Sequence, residues 1–346
     1  MIDFQPGRTG STDVLFGVQA NVGLILLNRP RTINAISSAM IRALRTELTA
    51  WSVDDRIQRV VLRGSGDRGL CSGGDVLELR DAIIRAGGID ANVHAFWEAE
   101  YRLNAQIAHF SKPFLSIMDG VVMGGGIGIS TFATLRLVTE RTKVAMPETI
   151  IGFFPDVGAS FPLSRATGEL GTHMVMTGAT VAGSDAIALG LADVMISSND
   201  LDDLVADLVS GERVRLPRTP SQASPLLQSS PWIDACYTGN DPQAIVERLA
   251  SHHDADARAA ATMITRRSPL SVAVALAAIR RARSMESVDQ VFAQDLLLSR
   301  RFAPDSDLVE GVRAQLVDRD HRPRWQHRSL AEVPRSQVQS YFDVPV

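Results

Sequence analysis

The stretch FLSIMDGVVMGGGIGIS, from Phe114 to Ser130, is the clearest indication of the fold. Its first five residues form a short apolar run that is typical of a buried strand. Three glycines follow at Gly124–Gly126, and the small residues after them predict a short helix. A strand, a glycine-rich loop and a helix in this order indicate an α/β crossover unit.

A similar order of elements precedes this stretch. Arg59–Arg63 is typical of a short buried strand, and the glycine-rich run GSGDRGLCSGGD follows from Gly64 to Asp75. The further elements predicted by apolar spacing and turn residues are a hairpin of Val14–Ala20 and Leu24–Asn28, a helix capped by Ser37 or Ser38, strands at Leu135–Thr139 and Lys143–Met146, and helices within 178–194, 201–209 and 242–301. Strands separated by helices indicate the α/β class.

The composition changes after residue 210, where four prolines fall within a short stretch rich in Ser, Gln and Arg: Pro217, Pro220, Pro225 and Pro231. Because proline interrupts helices, we predict a linker over 211–239. The chain then divides into a core at 1–210, this linker, and a C-terminal helical region with a tail at 240–346. The aromatic residues Trp325, Tyr341 and Phe342 indicate that part of the tail packs against the protein.

The overall composition excludes several classes of protein. Of the 346 residues, 45% are hydrophobic and 21% are charged, which is the balance of a globular protein. The net charge of -4 provides no general attraction to nucleic acid or to an anionic membrane, so we expect neither partner. The two cysteines have no paired Cys/His spacing typical of zinc, and the N-terminal residues lack a signal-peptide pattern. We therefore expect a cytoplasmic protein with no metal.

Gly64, Gly66 and Gly69 match the GxGxxG pattern of dinucleotide-binding proteins directly after a predicted strand. That pattern requires a helix to begin within the glycine run, whereas Leu70–Asp75 contains further turn residues. A tight surface turn is therefore the better interpretation.

Two loops of small residues are candidates for ligand binding: Ser72–Asp75 and Gly124–Gly126. Glycine lets the backbone approach a ligand closely, and unbonded N–H groups near a helix start attract negative charge. Together the two loops could hold a developing oxyanion. The alternative is that these glycines only permit tight packing of helix on sheet.

Two carboxylic acids, Glu148 and Asp156, stand alone in the apolar segment AMPETIIGFFPDVG, from Ala145 to Gly158. Loss of solvation raises the pKa of a carboxyl group, which makes it usable as an acid or base near neutral pH. The alternative is that Glu148 begins a helix and Asp156 caps a turn.

Several of these segments together resemble the motifs of the crotonase, or enoyl-CoA hydratase/isomerase, superfamily. They are NRPRTINAIS (28–37), CSGGD (71–75), DGVVMGGGIGIS (119–130) and AMPETIIGFFPDVG (145–158). EAEYRLN (98–104), SPLS (268–271) and EGVRAQLVDRDHRPRW (310–325) are similar to the 3-hydroxyisobutyryl-CoA hydrolase branch. The resemblance implies a ClpP-like spiral of ββα units with a C-terminal helical region. The tail after this region is implied to be an extension specific to the hydrolase branch.

The resemblance also implies an acyl-CoA pocket in which the N–H groups of Gly74 and Gly125 hold the thioester oxygen. The adenine of CoA would lie near Ala35 and the loop that contains Gly73 and Asp75. CoA is then part of the substrate, and no separate cofactor is expected.

The acidic residues point to one branch. Hydratases of the superfamily use two glutamates, and the first of these positions is Gly128 here, whereas the second is Glu148. In the hydrolase branch the working acids resemble Glu148 and Asp156, with Glu100 beside them.

We therefore expect hydrolysis of a short branched hydroxyacyl-CoA, with 3-hydroxyisobutyryl-CoA of valine breakdown as the main candidate. An enoyl-CoA isomerase or hydratase that uses Glu148 alone and a non-catalytic acyl-CoA-binding protein are the alternatives. The resemblance implies a homo-oligomer, either a trimer or a hexamer.

Overall fold

A computed structural model describes residues 2–86, 91–210, 223–302 and 306–343. The strands of this part of the chain are β1 (Gln5–Pro6), β2 (Val14–Gln19), β3 (Val22–Leu27), β4 (Arg59–Gly64), β5 (Gly69–Cys71), β6 (Phe114–Met118), β7 (Val121–Met123), β8 (Leu135–Val138), β9 (Lys143–Ala145), β10 (Val181–Ala182) and β11 (Val194–Met195). The α-helices of the first 210 residues are α1 (Ser38–Ser52), α2 (Val76–Ala86), α3 (Ala91–Ala108), α4 (Gly125–Gly128), α5 (Ser160–Leu163), α6 (Leu170–Thr177), α7 (Gly183–Ala188) and α8 (Leu201–Ser210). Those that follow are α9 (Pro225–Gln228), α10 (Ser230–Cys236), α11 (Pro242–Ser251), α12 (Ala255–Ile264), α13 (Pro269–Ala282), α14 (Val288–Phe302), α15 (Ser306–Val312) and α16 (Arg335–Ser340).

The chain divides into two compact units, and neither is continuous in sequence. The first comprises Met1–Asp75, Ala99–Val144 and Val181–Ser224, and the second comprises Val76–Glu98, Ala145–Thr180 and Pro225–Val346. The division into 1–210, 211–239 and 240–346 stays a prediction, since 211–222 lies outside the described residues.

The first unit is built on two sheets. In the described residues the larger sheet has the order β1-β2-β3-β4-β6-β8-β11, and its pairs from β3 onward are parallel. Helix α8 covers this sheet through Leu204, Val205 and Leu208, which join its apolar core. The smaller sheet has the order β10-β9-β7-β5, in which β5 and β7 run parallel. This mixed α/β architecture confirms the predicted fold class.

The start of the first unit follows the sequence expectations closely. The predicted hairpin is present, but its turn lies at Ala20-Asn21, because Ala20 adopts a left-handed conformation with a φ of 50°. Ser37 caps α1 by accepting a hydrogen bond from the Met40 N–H group at 3.3 Å. At Gly69, an added Cβ would collide with the backbone of Val121. The exposed residues 66–68 form the predicted surface turn between β4 and β5, and Gly69 in addition permits close packing of β5 against β7.

Two predicted segments differ from the structure. The helical pattern over 178–194 contains only the short helix α7, because Val181 and Ala182 pair with β9. The expectation that prolines exclude helices from 211–239 is wrong for residues 225–236, which form α9 and α10. Pro225 and Pro231 lie in the first turns of these helices, where the missing N–H group costs no hydrogen bond.

The second unit is mainly helical. The predicted helical range 242–301 contains α11, α12, α13 and α14. The ring centroid of Tyr341 lies 4.7 Å from that of Phe302, so this part of the tail packs against the helices, as predicted. No helix in the described ranges combines the length and apolar character that a membrane span needs.

Candidate active site

The two glycine loops of the first unit lie side by side. They follow β5 and β7, and because these strands pair in parallel, both loops leave the sheet at the same end. An ideal Cβ added to Gly125 would lie 3.1 Å from the Gly74 nitrogen, and one added to Gly73 would lie 3.8 Å from the Gly125 nitrogen. Among the described residues, none accepts a hydrogen bond from the N–H group of Gly74 or Gly125. Two neighbouring, unused donors are what an oxyanion site requires.

Hydrogen bonds on either side of Gly74 fix the first loop. The Ile36 N–H group donates to the Gly73 carbonyl at 2.9 Å, and the Asp75 N–H group donates to the Ile36 carbonyl at 2.8 Å. Gly73 has a φ of 115°, a conformation that residues with a side chain rarely adopt. The loop backbone is thus held while the N–H group between these two bonds remains available.

Arg29 joins two of the predicted CoA-contacting residues. Its guanidinium donates to the Ala35 carbonyl at 2.6 Å and to the Asp75 carboxylate at 3.0 Å. The buried Asn34 side chain donates to the carbonyls of Gly69 and Leu70 at 3.2 and 3.1 Å, which ties this segment to β5. Sequence reasoning assigned no role to Arg29 or to the Asn34 side chain, although both belong to the NRPRTINAIS motif.

Glu100 reaches the same loops from α3. It is buried, and its Oε1 atom lies 2.5 Å from the position of a Cβ added to Gly125. Burial, reinforced by the negative charge of Glu100, raises the pKa of the Cys71 thiol to about 12. Cys71 is therefore a protonated core residue at neutral pH and not a thiolate nucleophile.

The second unit contains the other two predicted acids, each on a short turn. Glu148 begins a 3₁₀ turn, Glu148–Ile151, directly after Pro147, and is 6% exposed. Asp156 follows Pro155 and is 5% exposed. Their burial agrees with the apolar surroundings expected from the sequence.

Residues far along the chain hold the Glu148 turn. The Ser268 N–H group donates to the Thr149 carbonyl at 3.1 Å, and the Ser268 hydroxyl donates to Asp307 at 2.8 Å. A Cβ on Gly152 would collide with the Asp307 backbone, so α15 packs directly against this turn. Asp307 also accepts a hydrogen bond from the Gln326 N–H group at 2.8 Å. The SPLS motif and the tail thus support the turn that carries Glu148.

The Asp156 turn has an unusual backbone. Val157 and Gly158 have positive φ values of 54° and 77°. The Gly158 N–H group donates to Asp295 Oδ2 at 2.8 Å, across 137 positions of sequence. Asp295 lies on α14 and was not predicted as a functional residue. The only indication in the sequence is that this acid falls among the apolar positions of a helical pattern.

An aromatic cluster lies beside these turns. The Phe153 ring stacks on Trp97 with centroids 5.3 Å apart, and Phe154 stacks on Phe302 at the same separation. Phe302 ends the helix that carries Asp295, so the FFPD segment and α14 share one packed surface. Such packing excludes water from the backbone of the acid-bearing segment.

Within the described ranges, no group of three or more His, Cys, Asp or Glu side chains could hold a metal ion. The expectation that the protein needs no metal or separate cofactor stays a prediction.

The parallel strands of the larger sheet from β3 onward and the adjoining glycine loops define a crotonase-fold enzyme. The chain belongs to the enoyl-CoA hydratase/isomerase family, whose sequence profile matches residues 22–342. This confirms the family to which the motifs pointed.

Curated relatives match almost the whole chain. The chicken (Gallus gallus) protein named 3-hydroxyisobutyryl-CoA hydrolase, mitochondrial, is 33% identical over 96% of this chain and 89% of its own length. The Arabidopsis thaliana protein named 3-hydroxyisobutyryl-CoA hydrolase 1 is 35% identical over 96% of this chain and 92% of its own length.

Two solved structures match the fold over nearly the full length. One is described as a carnitinyl-CoA dehydratase from Mycobacterium thermoresistibile, with 41% identity, a TM-score of 0.91 and 97% coverage of both chains. The other is described as an enoyl-CoA hydratase from Rhodobacter sphaeroides 2.4.1, with 34% identity, a TM-score of 0.89 and coverage of 96% of this chain and 97% of that one.

Proposed function

We propose that the protein hydrolyses a short branched hydroxyacyl-CoA thioester, with 3-hydroxyisobutyryl-CoA converted to 3-hydroxyisobutyrate and CoA in valine breakdown. The observation that carries the proposal is the pair of unused N–H groups on Gly74 and Gly125 in a chain whose Glu148 and Asp156 are both buried. The names of the chicken and Arabidopsis relatives support the choice of substrate.

The proposed reaction adds water across the thioester bond. The N–H groups of Gly74 and Gly125 donate hydrogen bonds to the carbonyl oxygen, which gains negative charge as the carbon becomes tetrahedral. Glu148 either attacks the carbonyl carbon to form an acyl anhydride that water then cleaves, or accepts a proton from an attacking water. Both routes end with the C–S bond broken, the sulfur protonated as CoA thiol and the acyl group released as an acid.

The remaining predicted residues have supporting roles in this proposal. Asp156 binds the acyl hydroxyl group and assists as acid or base, and Glu100 completes the polar end of the pocket. Ala35, Gly73 and Asp75 contact the CoA portion, with CoA as part of the substrate and without a separate cofactor.

Assembly and location belong to the same proposal. We propose a trimer or hexamer, which light scattering tests by the mass of the particle. We also propose a cytoplasmic location, although the chicken relative carries the word mitochondrial in its name; fractionation of the native cells tests it.

A second candidate is hydration or dehydration at an enoyl thioester, because both solved structures are described by such activities. Gly128, in the short helix α4, contributes no carboxylate to such a reaction. Glu148 would then have to move both protons, alone or with Asp156.

One comparison separates the two candidates. Purified protein is given 3-hydroxyisobutyryl-CoA while free thiol is followed, and crotonyl-CoA while loss of enoyl absorbance is followed. We expect thiol release that falls by about 10²-fold or more in Glu148→Gln, because a general base contributes that much. Glu47→Gln is the matched control, since Glu47 is also buried (7% exposed) but contacts Arg8 instead. Enoyl turnover without thiol release would replace the hydrolase proposal with the second candidate.

A further inference from the structure

Asp295 is a buried acid to which the proposed reaction gives no role. It lies on α14 with no exposed surface, and its Oδ2 atom accepts the hydrogen bond from the Gly158 N–H group at 2.8 Å. Within the part of the chain that the structure describes, its Oδ1 atom is buried and has no hydrogen-bond partner. A buried carboxyl group with one unsatisfied oxygen is costly, so its position calls for a compensating role.

The turn that Asp295 contacts needs an external support. Val157 has a φ of 54°, and a β-branched residue rarely adopts this left-handed conformation unless its surroundings impose it. Within the turn, the Ala159 N–H group donates to the Asp156 carbonyl at 3.0 Å. The bond from Gly158 to Asp295 anchors the same turn to α14. Asp156 therefore sits on a strained backbone that is anchored one residue beyond Val157.

We propose that Asp295 is a positioning residue that holds the Asp156-Val157-Gly158 turn and thereby keeps the Asp156 carboxyl group in its working position. The inference rests on the proposed function, because that function gives Asp156 its task at the substrate.

The electrostatics fit an uncharged Asp295. Burial, and then the negative charge of Asp156, raise the pKa of Asp295 well above its usual range. Helix α5 (Ser160–Leu163), which also packs against α14, contributes no titratable side chain. A protonated carboxyl still accepts the Gly158 hydrogen bond through its carbonyl oxygen, and it adds no second negative charge beside Asp156.

This chemistry predicts which substitutions the site tolerates. Asparagine has the shape of a protonated aspartic acid and keeps an oxygen for the Gly158 N–H group, whereas alanine removes that acceptor. We expect Asp295→Asn to retain kcat/KM within about threefold and Asp295→Ala to lose about tenfold or more of kcat/KM, since a small misplacement of a group that contacts the substrate has large effects on the reaction. Ser299→Ala is the matched control on α14, because Ser299 is buried and its hydroxyl bonds to Leu296 on its own helix.

Two measurements on the full-length protein test the inference. The first is amide hydrogen exchange of the 153–163 segment, which needs no activity; we expect faster exchange in Asp295→Ala and no change in Ser299→Ala. The second is a double-mutant cycle in kcat/KM, in which Asp156→Asn combined with Asp295→Ala should have a kcat/KM no lower than that of Asp156→Asn alone. Unchanged exchange in Asp295→Ala, an unchanged kcat/KM in that variant, or effects on kcat/KM that multiply in the double variant would each overturn the inference. If the wild type cleaves no thioester, the proposed function fails, and the exchange measurement alone decides whether Asp295 holds the turn.

Discussion

Substitution of Gly125 by alanine tests the oxyanion pair directly. The new methyl carbon would lie 3.1 Å from the Gly74 nitrogen, which is the distance at which a bound oxygen would accept the hydrogen bond. The methyl group therefore occupies the space that the thioester oxygen needs. Loss of a single oxyanion donor lowers kcat by about 10² to 10³, or about 2.7–4 kcal/mol of barrier, and obstruction of the space between two donors should cost at least that.

The fold should survive this change. The closest atom to the new methyl group is Glu100 Oε1 at 2.5 Å, which is the end of a side chain and can move. At the neighbouring Gly126, an added Cβ would instead lie 2.7 Å from the Cys71 backbone carbonyl, which cannot move without distorting β5. We therefore expect the melting temperature of Gly125→Ala to lie within a few degrees of wild type, which corresponds to a loss of about 1 kcal/mol of unfolding free energy at most. Gly126→Ala should melt well below wild type.

The assay is thiol release from the hydroxyacyl thioester, with the melting temperature of each variant measured in parallel. A displaced Glu100 could itself lower activity, so Gly125→Ala is also made in the Glu100→Ala background. A further drop of about 10²-fold in that background assigns the effect to the space between the two N–H groups. If Gly125→Ala, folded and stable, kept its kcat within about threefold of wild type, the oxyanion assignment would be refuted.

Three other predictions concern the supports of the site. Asp307→Ala removes the acceptor for the Ser268 hydroxyl and for the Gln326 N–H group, so we expect the unfolding free energy measured by urea titration to fall by about 2–4 kcal/mol. The control is Asp318→Ala, which removes a surface pair with Arg313 and should lower the unfolding free energy by only about 0–1 kcal/mol. Arg29→Ala removes the hydrogen bonds to Ala35 and Asp75, and it should raise KM for the acyl-CoA about tenfold with a smaller change in kcat. Arg56→Ala removes a surface pair with Asp54 and should change neither. Because the folded state raises the pKa of Asp295, wild type loses stability as pH rises above the usual carboxyl value of about 4, and Asn does not titrate. The melting temperature of Asp295→Asn relative to wild type should therefore increase from about pH 5 to about pH 8, and a constant difference would contradict the raised pKa.

Local constraints explain which features could be predicted. Gly73 needs a positive φ, and Gly125 leaves space beside the Gly74 nitrogen. Both requirements select glycine within short motifs, so the sequence predicts them. Asp295, in contrast, contacts Gly158 across 137 positions of sequence, and the residues next to Asp295 in the sequence do not predict that contact. Val181 and Ala182 follow a helical pattern but pair with β9, because strand pairing outweighs local preference.

The C-terminal half of the chain supports the backbone turns that carry Glu148 and Asp156. Asp307, through Ser268, braces the turn that begins at Glu148, and Asp295 accepts the N–H group of the turn that follows Asp156. Asp295 contacts its turn directly, whereas Asp307 acts through Ser268, which caps α13 and donates its N–H group to the Thr149 carbonyl. The helical region therefore supports the turns that carry Glu148 and Asp156, whereas the first glycine loop is held by the segment that contains Arg29 and Ile36 in its own unit.

The oxyanion pair and the acids have separate tasks, and hydrolysis and dehydration must differ in the task of the acids. Both reactions need a polarised thioester carbonyl, so the Gly74 and Gly125 pair serves either and cannot distinguish them. The acids can, because a dehydratase must protonate the departing hydroxyl group, whereas a hydrolase needs only to bind it. In a hydrolase, Asp156→Asn keeps hydrogen-bonding capacity at that hydroxyl group and should raise KM more than it lowers kcat.

In a dehydratase, the same variant removes the proton donor and should lower kcat by about 10² to 10⁴ with little change in KM. Steady-state kinetics of Asp156→Asn, on hydroxyacyl-CoA for thiol release and for enoyl formation, therefore decides between the two activities. A kcat collapse in thiol release with KM unchanged would show that Asp156 transfers a proton during hydrolysis itself, and its role as a binder of the acyl hydroxyl group would be wrong.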